Sequence, residues 1–441
     1  MSSVCRILSG ALALIVSSAA AVPASNWPQW RGPSGQGISE ETALPATWGP
    51  EEHVAWKTPL PGYGRSQPIV WQNRVFLTAD VDAGPAPDGH GAPEHRIDGQ
   101  PFLHPDSVGA DRRHALKVLA LDLDTGAIVW ERTAYEGPVF DNIHKRSSYA
   151  SPTMATDGTL VYAYFGPEGL YAYDFDGGLR WKASVGRFAL LGMGTGSSPV
   201  LWGGLVIIQR DENLGQQSML LAFDRMTGKE VWRTPRPVSA SWSTPVLVTA
   251  GGRTELVANG NEFVIAYDPA TGRELWRAKG VESNAIHTPL VGHGLVVVSA
   301  GYPAKRVIAI RSGGRGDITA TDRIVWEYAR GTGYVISPIL YGDHVYLVGD
   351  NGMVTCLDAR TGAVKYEGGR VPEPGSFMAS PVAFDGKLLL TSSDGDSYTI
   401  RAGAVHEVLA RGSIDEPVAS TPAIANGRLL LRGAKHLYCI R

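Results

Sequence analysis

The feature that most constrains this chain is a short text that keeps returning. Asp-x-x-Thr-Gly, followed four residues later by a large aromatic, runs from Asp122 to Trp130, Asp224 to Trp232, Asp268 to Trp276 and Asp358 to Tyr366. An Asp at the start of a tight turn can accept the turn's own N–H groups, and the Gly takes the positive φ that closes it. Each copy therefore reads as a β-hairpin ending on an aromatic. Trp181 and Trp326 hold the same place in units whose turns are altered. A single hairpin cannot bury its own apolar faces, so repeated units must pack on one another.

A second marker sets the period. Pro68, Pro152, Pro199, Pro245, Pro289, Pro338, Pro381 and Pro422 each precede an apolar stretch, and all but Pro68 follow Ser or Thr. The intervals are 41–49 residues except for the first, which is 84. The segment from Val81 to Arg113 accounts for the excess. It is rich in Gly, Pro, His and Asp without strand alternation, and reads as a loop insertion in the first unit. Four short strands, A to D, in about 40–50 residues describe a β-propeller blade. The reading is an all-β, eight-bladed propeller over residues 53–441. The last unit stops after its third strand at Arg441, and His53–Pro61 has the character to supply the missing fourth, with Trp56 in the aromatic position. Left unpaired, that edge would be a liability. The repeated aromatics Trp56, Trp130, Trp181, Trp232, Trp276, Trp326 and Tyr366 are expected to be structural anchors filling the wedge between blades.

Composition agrees where it is needed. The 53 glycines and 29 prolines suit many short strands and tight turns. With a net charge of −3 and no Lys/Arg run longer than a pair, there is no nucleic-acid footprint. Residues 1–21 read as a cleaved signal peptide: Arg6, the apolar run Ile7–Val16, then small residues at Ala19–Ala21. A periplasmic or secreted protein follows, monomeric, with no transmembrane segment in the mature chain. Residues 22–52 form a lead segment before the propeller. Cys356 and Cys439 fall in third strands, where other units carry alanines, and are expected to be buried free thiols.

The text A-x-D-x-x-T-G-x-x-x-W resembles the pyrroloquinoline-quinone (PQQ)-like propeller repeat. Trp27–Gly37, "WPQWRGPSGQG", is similar to the start of a group of secreted bacterial propellers carrying it. The resemblance implies the propeller fold and leaves function open, because the quinoprotein alcohol dehydrogenase-like superfamily includes both quinone enzymes and the outer-membrane assembly lipoprotein BamB. The dehydrogenases of that superfamily clamp PQQ with adjacent cysteines and hold a calcium beside it. This sequence has no adjacent cysteine pair, and the calcium set cannot be mapped onto it. No catalytic residue and no metal site is expected, and no cofactor, with PQQ and calcium kept for the dehydrogenase alternative.

Strand direction places candidate binding residues. The D–A connections and B–C loops share one face, and the A–B and C–D turns share the other. Arg65, His144, Lys145, Arg146, Trp242, Asn284, His287 and Tyr334 lie in D–A connections; they read first as solvated loop residues or channel-lining hydrogen bonders, and as a funnel for an anionic or aromatic ligand second. The insertion histidines His90, His95 and His104 and the loop 210–217 join this face. The expected function is an exported, non-catalytic binding or assembly scaffold of the cell envelope, with an unidentified envelope protein or small molecule as partner. The alternatives are an atypical PQQ-dependent dehydrogenase and a BamB-type assembly factor.

Overall fold

The computed structural model describes residues 25–441 except 43, 98, 214–217 and 283, so the signal-peptide reading lies outside the described residues. Eight antiparallel sheets follow one another along the chain as blades 1 to 8 of a propeller. Blade 1 comprises Ile69–Trp71, Arg74–Pro85, Arg112–Asp122 and Ile128–Pro138, and blades 2 to 7 repeat the plan. In blade 8, Val54–Pro59 pairs with His436–Ile440 on the outside of Arg428–Arg432 and Ala423–Ala425. One short 3-10 turn, Gly166–Glu168, interrupts the β-structure, and no described helix is long and apolar enough to cross a membrane.

The repeated tryptophan and the repeated turn are two halves of one joint. The Trp130 indole N–H donates to the Phe175 carbonyl at 2.8 Å, in the C–D turn of the next blade. Trp56 does the same to Leu123, Trp181 to Arg225 and Trp326 to Ala359. The turn glycine lies flat against that ring: a Cβ on Gly126, Gly177, Gly228, Gly272 or Gly362 would stand 2.5–2.8 Å from the tryptophan of the preceding blade. So glycine is required there twice, for its positive φ and for the missing side chain. Trp276 departs from the rule because blade 5 replaces the turn with a longer loop. Its indole donates instead to Glu255 within blade 4. That loop sends Gly316–Asp317 back to pair in parallel with strand D of blade 4, a fifth strand that the sequence pattern did not reveal.

The Ser/Thr before each marker proline makes a second belt nearer the axis. The Thr153 N–H donates to Ser198 Oγ and the Ser198 N–H to Thr244 Oγ1, both at 3.0 Å; Thr288, Ser337 and Ser380 continue it to Ser337, Ser380 and Thr421. Gln67 enters the belt by donating to Thr153 Oγ1. In blade 2 the belt residue is therefore Thr153, after Pro152, where the other units use the residue before the proline. The proline spacing alone misplaces that blade by two positions.

The lead segment fills the lumen. Trp27, fully buried, pairs backbone-to-backbone with Val70 of blade 1, while the Pro28 carbonyl accepts from Thr156 of blade 2. Trp30 Nε1 donates to Thr288 Oγ1, the Arg31 guanidinium to the Pro338 and Gln36 carbonyls, and Ser39 N–H to Ala383. The chain thus touches strand A, or the residues leading into it, in blades 1, 2, 5, 6 and 7. It enters beside Asn426 and Gln72, in the A–B turns of blades 8 and 1. The lead segment thus blocks the lumen from that face.

The insertion is also more ordered than a loop. Strands B and C of blade 1 run past the sheet as a ribbon, with Val81 opposite Ala115 and Pro85 opposite Arg112, so the excursion proper is 86–111. It carries a small hairpin, His95–Ile97 with Gln100–Phe102. Period-2 alternation is weak there because few ribbon residues are buried, His114 and Ala115 among them, and two in a row do not alternate.

Candidate binding face

The insertion lies on the D–A face, clipped to the connection between blades 1 and 2. Ser107–Val108 pairs with Ile143–His144, and Ala110 N–H donates to Asn142 Oδ1. Histidines supply the clips. His90 Nε2 meets the Val139 carbonyl at 2.9 Å, and His95 meets Asp141 at 2.9 Å with both side chains buried. His114 Nδ1 meets Asp80 at 2.7 Å and its Nε2 the Gly109 carbonyl at 3.1 Å. Burial pulls the His114 pKa down, but the bond to Asp80, its charge and the Gly109 carbonyl outweigh it, and the net shift is upward.

Two guanidinium groups converge at the mouth of the ring. Arg65 comes from the connection entering blade 1, Arg146 from the one entering blade 2. Both reach Met378, in the connection entering blade 7, at 3.6 Å and 3.0 Å from its Sδ. A thioether is a weak acceptor and carries no charge. Neither arginine has an ion-pair partner among the described residues. Arg65 is largely buried, its Nε unpartnered, and burial lowers its pKa against the opposing pull of Tyr63, with Arg146 adding a smaller lowering. Next to them Lys145 is paired with Asp106 at 2.8 Å, and Tyr63 lies exposed 5.8 Å from Arg65.

The remaining candidates scatter. His287 is fully buried, with Nδ1 on Ser299 Oγ and Nε2 on the Tyr334 carbonyl; burial pushes its pKa down to about 4. It is a neutral strut and offers no free nitrogen to a ligand. Trp242 donates its indole N–H to the Gly194 carbonyl and packs on Gly196, fastening two connections together. Asn284 is half-buried with a positive φ and shapes its turn. Tyr334 is exposed, its ring 5.2 Å from Tyr302. The funnel therefore reduces to Arg65 and Arg146, with His144 and Lys145 on its rim. Met378 was visible only as part of a loop, since nothing in its local text says that two arginines end on it.

Beneath the rim of blades 3 and 4 lies a buried polar cluster that local sequence did not disclose. Asp211 and Arg236 form an ion pair at 3.1 Å with both side chains excluded from solvent, and Ser241 and Gln209 also bond to Asp211. Burial lifts the Asp211 carboxyl to about 6 against the pull of Arg236.

The family described as outer membrane protein assembly factor BamB matches residues 48–234 and 216–368. The chain belongs to this family. A BamB from Yersinia pestis is 24% identical over 403 residues, covering 87% of this chain and 91% of that protein. Among solved structures, BamB from Moraxella catarrhalis superposes with a TM-score of 0.54 at 15% identity, over 82% of this chain and 97% of that one. A quinohemoprotein alcohol dehydrogenase from Comamonas testosteroni gives 0.63 at 12% identity, over 94% and 80%. Those two likenesses speak to the fold alone. The described residues do not fit a quinone clamped by neighbouring cysteines. Cys356 and Cys439 are fully buried, one in blade 6 and one in blade 8, and both are free.

Proposed function

We propose that this protein is a non-catalytic scaffold of the bacterial cell envelope that takes part in outer-membrane protein assembly, and that it docks an acidic segment of an envelope protein at the D–A mouth. The observation carrying this reading is the Arg65–Arg146 pair, two cations brought together on an uncharged thioether. Like charges held close without a counter-ion are costly, and a carboxylate or another anion relieves that cost through charge-assisted, bidentate bonds. The blocked lumen supports a surface role over passage through the ring. Membership of the BamB family supports the pathway.

The test is co-purification from detergent-solubilised envelopes. The wild-type chain is expected to bring down outer-membrane assembly components, and the charge-reversed R65E/R146E variant to lose them by roughly tenfold or more. Equal recovery by both proteins would remove the docking reading.

A further inference from the structure

Two histidine–carboxylate contacts of the insertion are closed hydrogen bonds, His95–Asp141 at 2.9 Å and His114–Asp80 at 2.7 Å. A third grouping is not closed. His104, Asp106 and His144 place one ligating atom each within 4.8 Å of one another, and all three side chains are half-buried. His144 Nε2 stands 3.5 Å from Asp106 Oδ2, which is too long for a hydrogen bond between them. It is the length a shared ion needs. Nitrogen and oxygen donors about 2.1 Å from a tetrahedral zinc are separated by roughly 3.4 Å.

The backbone holds the three residues in place. Ser107 pairs opposite His144, the Lys145 N–H donates to the Asp106 carbonyl at 2.7 Å, and the Ser107 N–H donates to the His104 carbonyl at 3.0 Å. The two imidazoles lie side by side with ring centroids 5.6 Å apart and planes tilted by 52°. Lys145 occupies Asp106 Oδ1 and leaves Oδ2 turned toward His144. Each ring's Nδ1 accepts a backbone N–H two residues on, so coordination through Nε2 exchanges those two turn contacts for metal bonds. Local spacing in the sequence concealed the group, because His104 and Asp106 belong to the insertion and His144 to the connection between blades 1 and 2.

We propose that His104, Asp106 and His144 form a binding site for a divalent transition ion of the zinc class. Two imidazoles and one carboxylate suit such an ion better than calcium or magnesium, which take oxygen ligands. Three protein ligands leave a fourth position to water. The ion ties the insertion to the connection between blades 1 and 2, two residues from Arg146. The site needs no partner protein and stands or falls independently of the docking reading.

The test uses the tag-free full chain stripped with a chelator, then titrated with Zn2+ by calorimetry and with Co2+ by visible absorption. One Zn2+ per chain and the absorption bands of four-coordinate Co2+ are expected. H104A and D106N are each expected to weaken Zn2+ binding by more than about tenfold, the loss seen even for outer-sphere partners of a metal site. H95Q, which touches a closed contact, is expected to leave it unchanged. The proposal is overturned if the wild-type chain takes up no Zn2+, or if it binds the ion equally well in H104A and D106N.

Discussion

The Arg31 guanidinium donates to the Pro338 carbonyl across 2.9 Å, joining the lead segment to the wall of blade 6 from inside the ring. Arg31 is completely buried, and among the described residues its guanidinium bonds only to backbone carbonyls, Gln36 among them. Removing the side chain strands those carbonyls in a dry lumen. Arg31→Ala is expected to lower stability by about 3 kcal/mol, the scale for losing charge-assisted buried bonds. The check is the urea midpoint at constant slope. A shift smaller than about 0.5 kcal/mol would mean that the plug is held by something else.

The tryptophan–glycine joint predicts a contrast between two glycines of similar backbone conformation. Gly228 and Gly342 both have positive φ, 69° and 60°. A Cβ on Gly228 meets the Trp181 ring at 2.5 Å, and one on Gly342 meets nothing within 4 Å. Left-handed strain of about 1–2 kcal/mol applies to both. Gly228→Ala is expected to cost about 2 kcal/mol more than Gly342→Ala in equilibrium unfolding, because the ring must move out of the seam. Equal costs would show that the glycine serves only its turn.

His114 gives the stability a pH dependence of known sign. Its folded pKa lies above the ordinary 6.5 through Asp80, with Asp82 adding to the pull. The stabilisation is complete below the unfolded pKa and disappears as pH rises through the folded one. Between about pH 6 and pH 8 the wild-type chain is therefore expected to lose stability relative to His114→Gln. Parallel profiles for the two proteins in urea titrations at several pH values would contradict the assignment.

How much of this was readable from the chain depends on what each device is made of. The blades and their anchors were legible because the same local text, turn Asp and Gly with a following Trp, is written afresh in every unit, and local text is what sequence reading resolves. Cys356 and Cys439 were legible for the same reason, as substitutes at a repeated alanine position; both are free and buried, with thiols pushed up to about 12 by burial. The plug was not legible. Arg31 binds carbonyls, and a carbonyl carries no side-chain signature at Pro338, 307 positions away. The belt position of blade 2 was read at Ser151 instead of Thr153 because a proline two residues out of register looks like every other marker. The funnel shrank to Arg65 and Arg146 because exposure depends on neighbours: His287 and Trp242 sit in the same kind of connection but turn inward to Ser299 and Gly194.

The most direct measurement is site-specific photo-crosslinking in intact cells, with the crosslinker placed in turn at Tyr63, beside Arg65 at the mouth, and at Met226, exposed in a C–D turn on the opposite face. Tyr63 is expected to capture a protein of the outer-membrane assembly pathway, to lose it in the R65A/R146A background, and Met226 to capture none. Adducts of equal yield from both faces, or a Tyr63 adduct indifferent to the two arginines, would contradict docking at the mouth of the propeller.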